Sequence, residues 1–184
     1  MLFAISNTLR EYLESRFPDT NGPWVTIASR QKDEASTFPT NQLALLLYAV
    51  SENTYLRNQG LRSTEDGFVA PPLAVTLYYL VTYTSASAEQ IQRRLSLVLQ
   101  AFESTRRLGP EDLDPELVGR VEHLSIRLRA LTPEELNRIW TGLSLGMRLA
   151  LYYEVDAALL EPLDPKTEGA VLERRLTTLP KVPA

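Results

Sequence analysis

The chain has 184 residues, enough for one domain with an appended arm at roughly 150 residues per domain. It carries no cysteine, one histidine, and 19 basic against 23 acidic residues, a net charge of −4. Those counts exclude thiol chemistry, disulfides, Cys/His zinc sites and iron–sulfur clusters, leave any Ser–His–Asp triad to His123, and speak against tracking a phosphate backbone, which selects basic surfaces.

With 44% hydrophobic residues the composition is that of a globular domain. The N-terminus lacks a basic segment followed by an apolar run, and no window reaches the ~18 apolar residues of a membrane span. The expectation is cytoplasmic synthesis and assembly without direct membrane insertion.

Ile5, Leu9, Tyr12, Leu13 and Phe17 recur at helical spacing and predict an N-terminal helix, stopped at Phe17-Pro18. Trp24 to Ile27 reads as a short strand, and Gln31 to Asn41 as a polar loop. Leu43 to Val50 is nearly continuous apolar sequence, the mark of a strand covered on both faces. Glu52 to Ala70, with two glycines and five charges, reads as a long exposed loop. Pro71-Pro72 ends it, and Leu73 to Tyr83 alternates as a further strand.

Ser87 to Gln90 fits a capping box before a helix with Ile91, Leu95, Val98, Leu99 and Phe102 on one stripe. Gly109-Pro110 breaks the chain, and Asp114-Pro115-Glu116 opens a short turn. Leu124, Ile126 and Leu128 alternate with polar residues as a half-buried strand. Thr132-Pro133-Glu134-Glu135 is a strong helix start ahead of Leu136, Ile139, Trp140 and Leu143. Leu149, Leu151, Tyr153, Val155, Ala157 and Leu159 alternate over the last long strand. The predicted class is α+β: an antiparallel or mixed sheet of about five strands, with an N-terminal helix and two further helices packed on it. Residues 1–161 form the domain, and 162–184 a Pro-containing arm.

Little in this pattern points to catalysis. His123 has no nucleophile elbow to serve, Glu134 and Glu135 are accounted for by the helix start, and Asp33/Glu34 fall in a loop. No Gly-rich phosphate cradle follows a strand. No catalytic residue, cofactor or metal is expected.

Three features suggest protein contacts instead. The stretch Glu89 to Arg107, with Arg93 and Arg94, holds four bases and two acids. It is next to Glu111–Glu122, which holds five acids and one base, and opposite patches of this kind can join subunits head to tail. Asn53, Arg57 and Asn58, running off the most buried strand, either form side-chain-to-backbone turns or present a hydrogen-bonding corner to a partner. In the arm, Val171, Leu172, Arg174 and Arg175 make an apolar, β-compatible patch between Pro165 and Pro180. That patch either folds back on its own domain or adds as a strand to a neighbouring sheet.

Tyr48-x-x-x-x-Asn53-x-x-x-Arg57-Asn58, followed by Pro71-Pro72-Leu73-Ala74-Val75-Thr76-Leu77-Tyr78-Tyr79, resembles the tail-terminator (cap) family of bacterial extracellular contractile injection systems, which are phage-tail-like particles. Two later blocks agree in order: Ile126-x-Leu128-x-x-Leu131-Thr132-Pro133-Glu134-Glu135-Leu136, and Leu149-Ala150-Leu151-Tyr152-Tyr153-Glu154-Val155. Arg93-Arg94-Leu95-Ser96 and Met147 to Ala150 depart from the family pattern. The resemblance implies a structural cap that terminates the inner tube and contractile sheath, sets tail length and anchors the last sheath ring. It further implies self-association as a ring, expected to be a hexamer, and contact with inner-tube and sheath proteins; the acidic charge balance adds the expectation of no nucleic-acid partner. The alternatives are a baseplate or adaptor component of the same particle and, remotely, a small carboxylate-dependent hydrolase.

Overall fold

Helix α1 (Leu2–Arg16) forms where the apolar stripe predicts it, and buries Ala4, Ile5, Leu9, Tyr12 and Leu13. It has no side-chain cap at its N-terminus, so packing of this stripe holds it. Two polar residues are buried with it, and both are satisfied. Ser6 Oγ and the Tyr79 hydroxyl share a 2.8 Å hydrogen bond, while Thr8 Oγ1 donates to Ala4 O at 3.0 Å and accepts from Asp114 N at 2.9 Å.

The computed structural model describes residues 1–18, 22–29, 37–53, 62–64, 67–69 and 74–159, with backbone alone at 62–64, 67–69 and 158–159. Strands β1 (Val25–Ala28), β2 (Leu43–Glu52), β5 (Ala74–Tyr83), β6 (Arg107–Leu108), β7 (Val121–Leu128) and β8 (Leu151–Leu159) make one sheet in the order β1-β2-β5-β8-β7-β6. Only β1 and β2 run parallel; every other pair is antiparallel. The class is the α+β arrangement expected, with six strands in the sheet rather than about five.

The added strand, β6, has two residues and therefore no periodicity to read. It forms because β7 offers an edge, with Ile126 N donating to Arg106 O at 2.8 Å. The stretch read as one long loop also holds a hairpin, β3 (Arg62–Thr64) with β4 (Gly67–Val69). Three-residue strands give no alternation, although the Asp66-Gly67 pair is a hairpin signal.

Two cores sandwich the sheet. On one face α1 and α2 (Ala88–Ser104) cover Leu43, Leu45, Leu77, Tyr79, Val81, Tyr153 and Val155. Phe102 of α2 meets Tyr153 edge to face at 5.0 Å and stacks with Tyr12 at 6.2 Å. On the other face α3 (Pro133–Leu143) brings Trp140 against Phe38, Ala44, Leu46, Leu80 and Tyr152. Thus Tyr78-Tyr79 and Tyr152-Tyr153 each divide their rings between the faces, as their alternation predicts.

The helix start expected at Thr132 forms, and as a complete capping box: Thr132 Oγ1 accepts from Glu135 N, and Glu135 Oε2 accepts from Thr132 N at 2.8 Å. At α2, Ser87 accepts from Gln90 N, but the Gln90 side chain meets Ser85 instead of returning to Ser87. The double-sided burial predicted for Leu43 to Val50 is complete only through Leu46. A register shift between Leu47 and Ala49 then follows, and Val50 is exposed. Tyr48, in phase with Ala44 and Leu46, stays on the α3 face beside Tyr78, ring centroids 6.2 Å apart, and the bulge reverses the phase of β2 after it.

Candidate assembly interface

On the α3 face, beyond the cover of that helix, the sheet turns polar. Asp156 of β8 accepts from Thr76 Oγ1 at 2.5 Å and Asn53 Nδ2 at 3.0 Å, and its second oxygen is 2.7 Å from Arg127. Arg127 Nε also donates to Glu154 at 2.8 Å. Arg129 lies 3.9 Å from Glu154, donates to the Tyr48 hydroxyl at 3.0 Å and sits 4.8 Å over the Tyr78 ring.

One connected network therefore ties β2, β5, β8 and β7. The Glu154 hydrogen bond, helped by Asp156, raises the Arg127 pKa; burial raises that of Tyr48 despite the opposing Arg129 charge. The Asn53 corner predicted from sequence is held at its backbone by Asn53 N to Ala74 O, 2.8 Å, with the amide engaged on Thr76 and Asp156. Arg57 and Asn58 lie outside the described residues. Sequence reasoning missed Arg127, Arg129, Glu154 and Asp156. Their signal is the charge at alternate positions of two strands, and it is readable only once those strands are known to pair.

A second surface occupies the end of the sheet where β1, β2 and β8 begin and β5 finishes. Arg93 is exposed and pairs with Glu89 at 2.7 Å. Arg94 lies 4.8 Å over the Trp24 ring and 5.9 Å over that of Tyr83, in a cleft of roughly 760 Å³. Arg148 closes the same end from the α3 side. It donates to Thr84 Oγ1 at 3.1 Å and stacks 4.8 Å over Phe38, and burial lowers its pKa. Its neighbours Met147 and Leu149 are 65% and 55% exposed.

The basic stretch counted from sequence is divided in the fold. The helix stops at Ser104, Arg106 pairs with Glu103, and Arg107 enters β6, so the charge of α2 itself rests with Arg93 and Arg94.

The acidic segment sits at the opposite end. Residues 109–120 form turns that dock on the start of α1, where Asp114 accepts from Glu116 N at 2.9 Å and Asn7 Nδ2 at 2.7 Å. These two bonds, the backbone one first, hold its carboxyl below the usual range. The Met1 amine reaches Glu116 at 2.7 Å, leaving Phe3 67% and Val118 53% exposed nearby. The Arg93–Arg94 part of the basic stretch and the acidic stretch thus sit toward opposite ends of the sheet, while Arg106 and Arg107 stay beside the acidic turns. Arg16, at the end of α1, is eight residues from Thr8, to which the acidic turn bonds, about 12 Å at roughly 1.5 Å per residue.

Of the groups weighed for catalysis, His123 is partly buried with Nδ1 4.0 Å from Glu122, and Glu134 and Glu135 open α3. Asp33 and Glu34, like Val171, Leu172, Arg174 and Arg175, lie outside the described residues. Among the described residues no three His, Asp or Glu side chains gather as a metal site, and no helix is long and apolar enough to cross a membrane.

The family described as the Pvc16 N-terminal domain matches residues 4–174. Two solved structures share the fold. The sheath/tube terminator of PVC, an extracellular contractile injection system, in its extended state, superposes with a TM-score of 0.64 at 17% identity. The anti-feeding prophage cap, described as a tube terminating cap, superposes with a TM-score of 0.60 at 21% identity. Each superposition covers 100% of this chain and 64% of the other, so the chain spans under two thirds of the length of either protein. No curated protein matches the sequence.

Proposed function

The chain belongs to the Pvc16 N-terminal domain family, and from that premise we propose that it is a structural cap ending the inner tube and contractile sheath of a phage-tail-like injection particle. The observation that carries this reading is the likeness of its whole length to two tube-terminating proteins. In this role the protein sets tail length and anchors the last sheath ring, a binding function without turnover. It works as a ring, a hexamer being the expectation, that contacts tube and sheath proteins and is assembled in the cytoplasm.

The rigid polar face supports the reading. A cap needs surfaces held in shape before their partners arrive, because flexible ones lose ordering entropy on docking. Within this reading Asn53, Arg57 and Asn58 shape a corner toward the tube or a neighbouring subunit. Residues 162–184, with Val171, Leu172, Arg174 and Arg175, act as an arm on the sheath.

Removing the protein from the assembling particle tests the reading. Negative-stain images are expected to show tails of uncontrolled length; normal lengths would overturn it, and near-absence of particles would point to a baseplate role. Deleting residues 165–184 tests the arm by co-sedimentation with sheath, and unchanged capping would remove it.

A further inference from the structure

We propose that copies of this chain join head to tail, the basic end of the sheet on one subunit docking against the acidic end of the next. The inference rests on the ring reading above and names the surfaces that would build the ring.

The basic end presents Arg16, Arg93, Arg94 and Arg148 against Glu14 and Glu89, with Met147 and Leu149 standing exposed among them. The acidic end presents Glu111, Asp112, Asp114, Glu116 and Glu122 against Arg107, Arg120 and the Met1 amine, with Leu2, Phe3 and Val118 exposed beside them. Each end therefore combines exposed apolar side chains with an excess of one sign of charge. An interface needs both, apolar area for affinity and complementary charge for register and partner choice.

Within one subunit the two ends cannot neutralise each other. Arg16 lies eight residues along α1 from Thr8, to which the acidic turn bonds, about 12 Å at roughly 1.5 Å per residue and beyond the roughly 8 Å Debye length at physiological salt. A second copy supplies the complement at each end. Because the two surfaces differ, the contact is heterologous, and a heterologous contact closes a ring when its rotation permits.

Both ends are held in shape by the fold. Arg94 is stacked on Trp24 and Tyr83, Arg148 on Phe38, and the acidic turn is tied to α1 by Asp114 N to Thr8 and Asn7 to Asp114. The occupant that fits is a second copy of this chain rather than a nucleic acid, since the basic end is a compact patch and the opposite end would repel phosphate.

Native mass spectrometry and sedimentation of the full chain test the pairing, with reversals placed on exposed side chains. Arg16→Glu with Arg93→Glu reverses one end; Glu111→Arg with Glu116→Arg reverses the other. Either pair alone is expected to raise the concentration needed for assembly at least about tenfold at low salt. Mixing the two variant proteins is expected to restore assembly, because every contact in an alternating ring is again between unlike charges. Phe3→Ser supplies a charge-independent arm and is expected to weaken assembly at all salt concentrations. Thermal unfolding of each variant monitors folding.

Restoration by mixing supports the proposal. Assembly unaffected by either reversal, or no recovery on mixing folded variants, overturns the pairing of these ends. The cap reading is judged separately, from tail lengths in imaged particles.

Discussion

Replacing Asp156 by alanine tests whether the polar network is what holds the four central strands in register. The carboxylate is 9% exposed and takes three partners: the Thr76 hydroxyl, the Asn53 amide and Arg127. Its loss strands the buried Thr76 hydroxyl, at about 1–3 kcal/mol, while the half-exposed Asn53 amide loses one partner and keeps Thr76 Oγ1. Arg127 is 57% exposed and keeps Glu154, so solvent screening reduces that part of the loss to about 0–1 kcal/mol.

The expected cost of Asp156→Ala is about 2 kcal/mol, and a fall in Tm of about 4–8 °C for a domain of this size. Asp156→Asn keeps an acceptor for both donors and is expected to cost about 1 kcal/mol. Urea unfolding followed by tryptophan fluorescence measures both, since Trp24 and Trp140 are 3% and 2% exposed and report on opposite faces of the sheet. A cycle with Thr76→Val is expected to show coupling of about 1 kcal/mol. A cost below about 0.5 kcal/mol for Asp156→Ala, or strict additivity in the cycle, would refute the reasoning.

Other outcomes follow from the same contacts. Trp140→Ala opens the smaller core and strands the Tyr152 hydroxyl, bonded to Trp140 Nε1 at 2.7 Å; a loss of about 3–5 kcal/mol is expected in the same unfolding assay. Burial pushes the Tyr79 phenol from 10.0 up to about 12. A raised phenol pKa leaves its stability contribution whole below the unfolded value and removes it as pH climbs from 10.0 toward about 12. Unfolding between pH 9 and 12 should therefore show a downward slope that Tyr79→Phe reduces, with about 3 kcal/mol at stake from a two-unit shift. Thr132→Ala removes one arm of the α3 capping box and is expected to cost about 1 kcal/mol, read by thermal unfolding.

The amino-acid sequence by itself determined the features whose causes are local. The apolar stripes place α1, α2 and α3, because one helical face must leave water, and Thr132-Pro133-Glu134-Glu135 sets a helix boundary with its own side chains. Long alternating runs place β5, β7 and β8 to within a few residues, for the same reason at period two. The missed elements, β3, β4 and β6, are two or three residues long, too short to carry a period.

What only the tertiary structure decided is non-local. Glu154 and Asp156 become partners of Arg127 and Arg129 because β7 lies beside β8, and Asn53 turns its amide to Asp156 across 103 positions of chain. Arg93–Arg94 and the acidic stretch are near neighbours along the chain, yet α2 runs back over the sheet and sets them toward opposite ends of the domain. A net charge of −4 conceals that separation, because charge sums over sequence while electrostatic contact depends on distance.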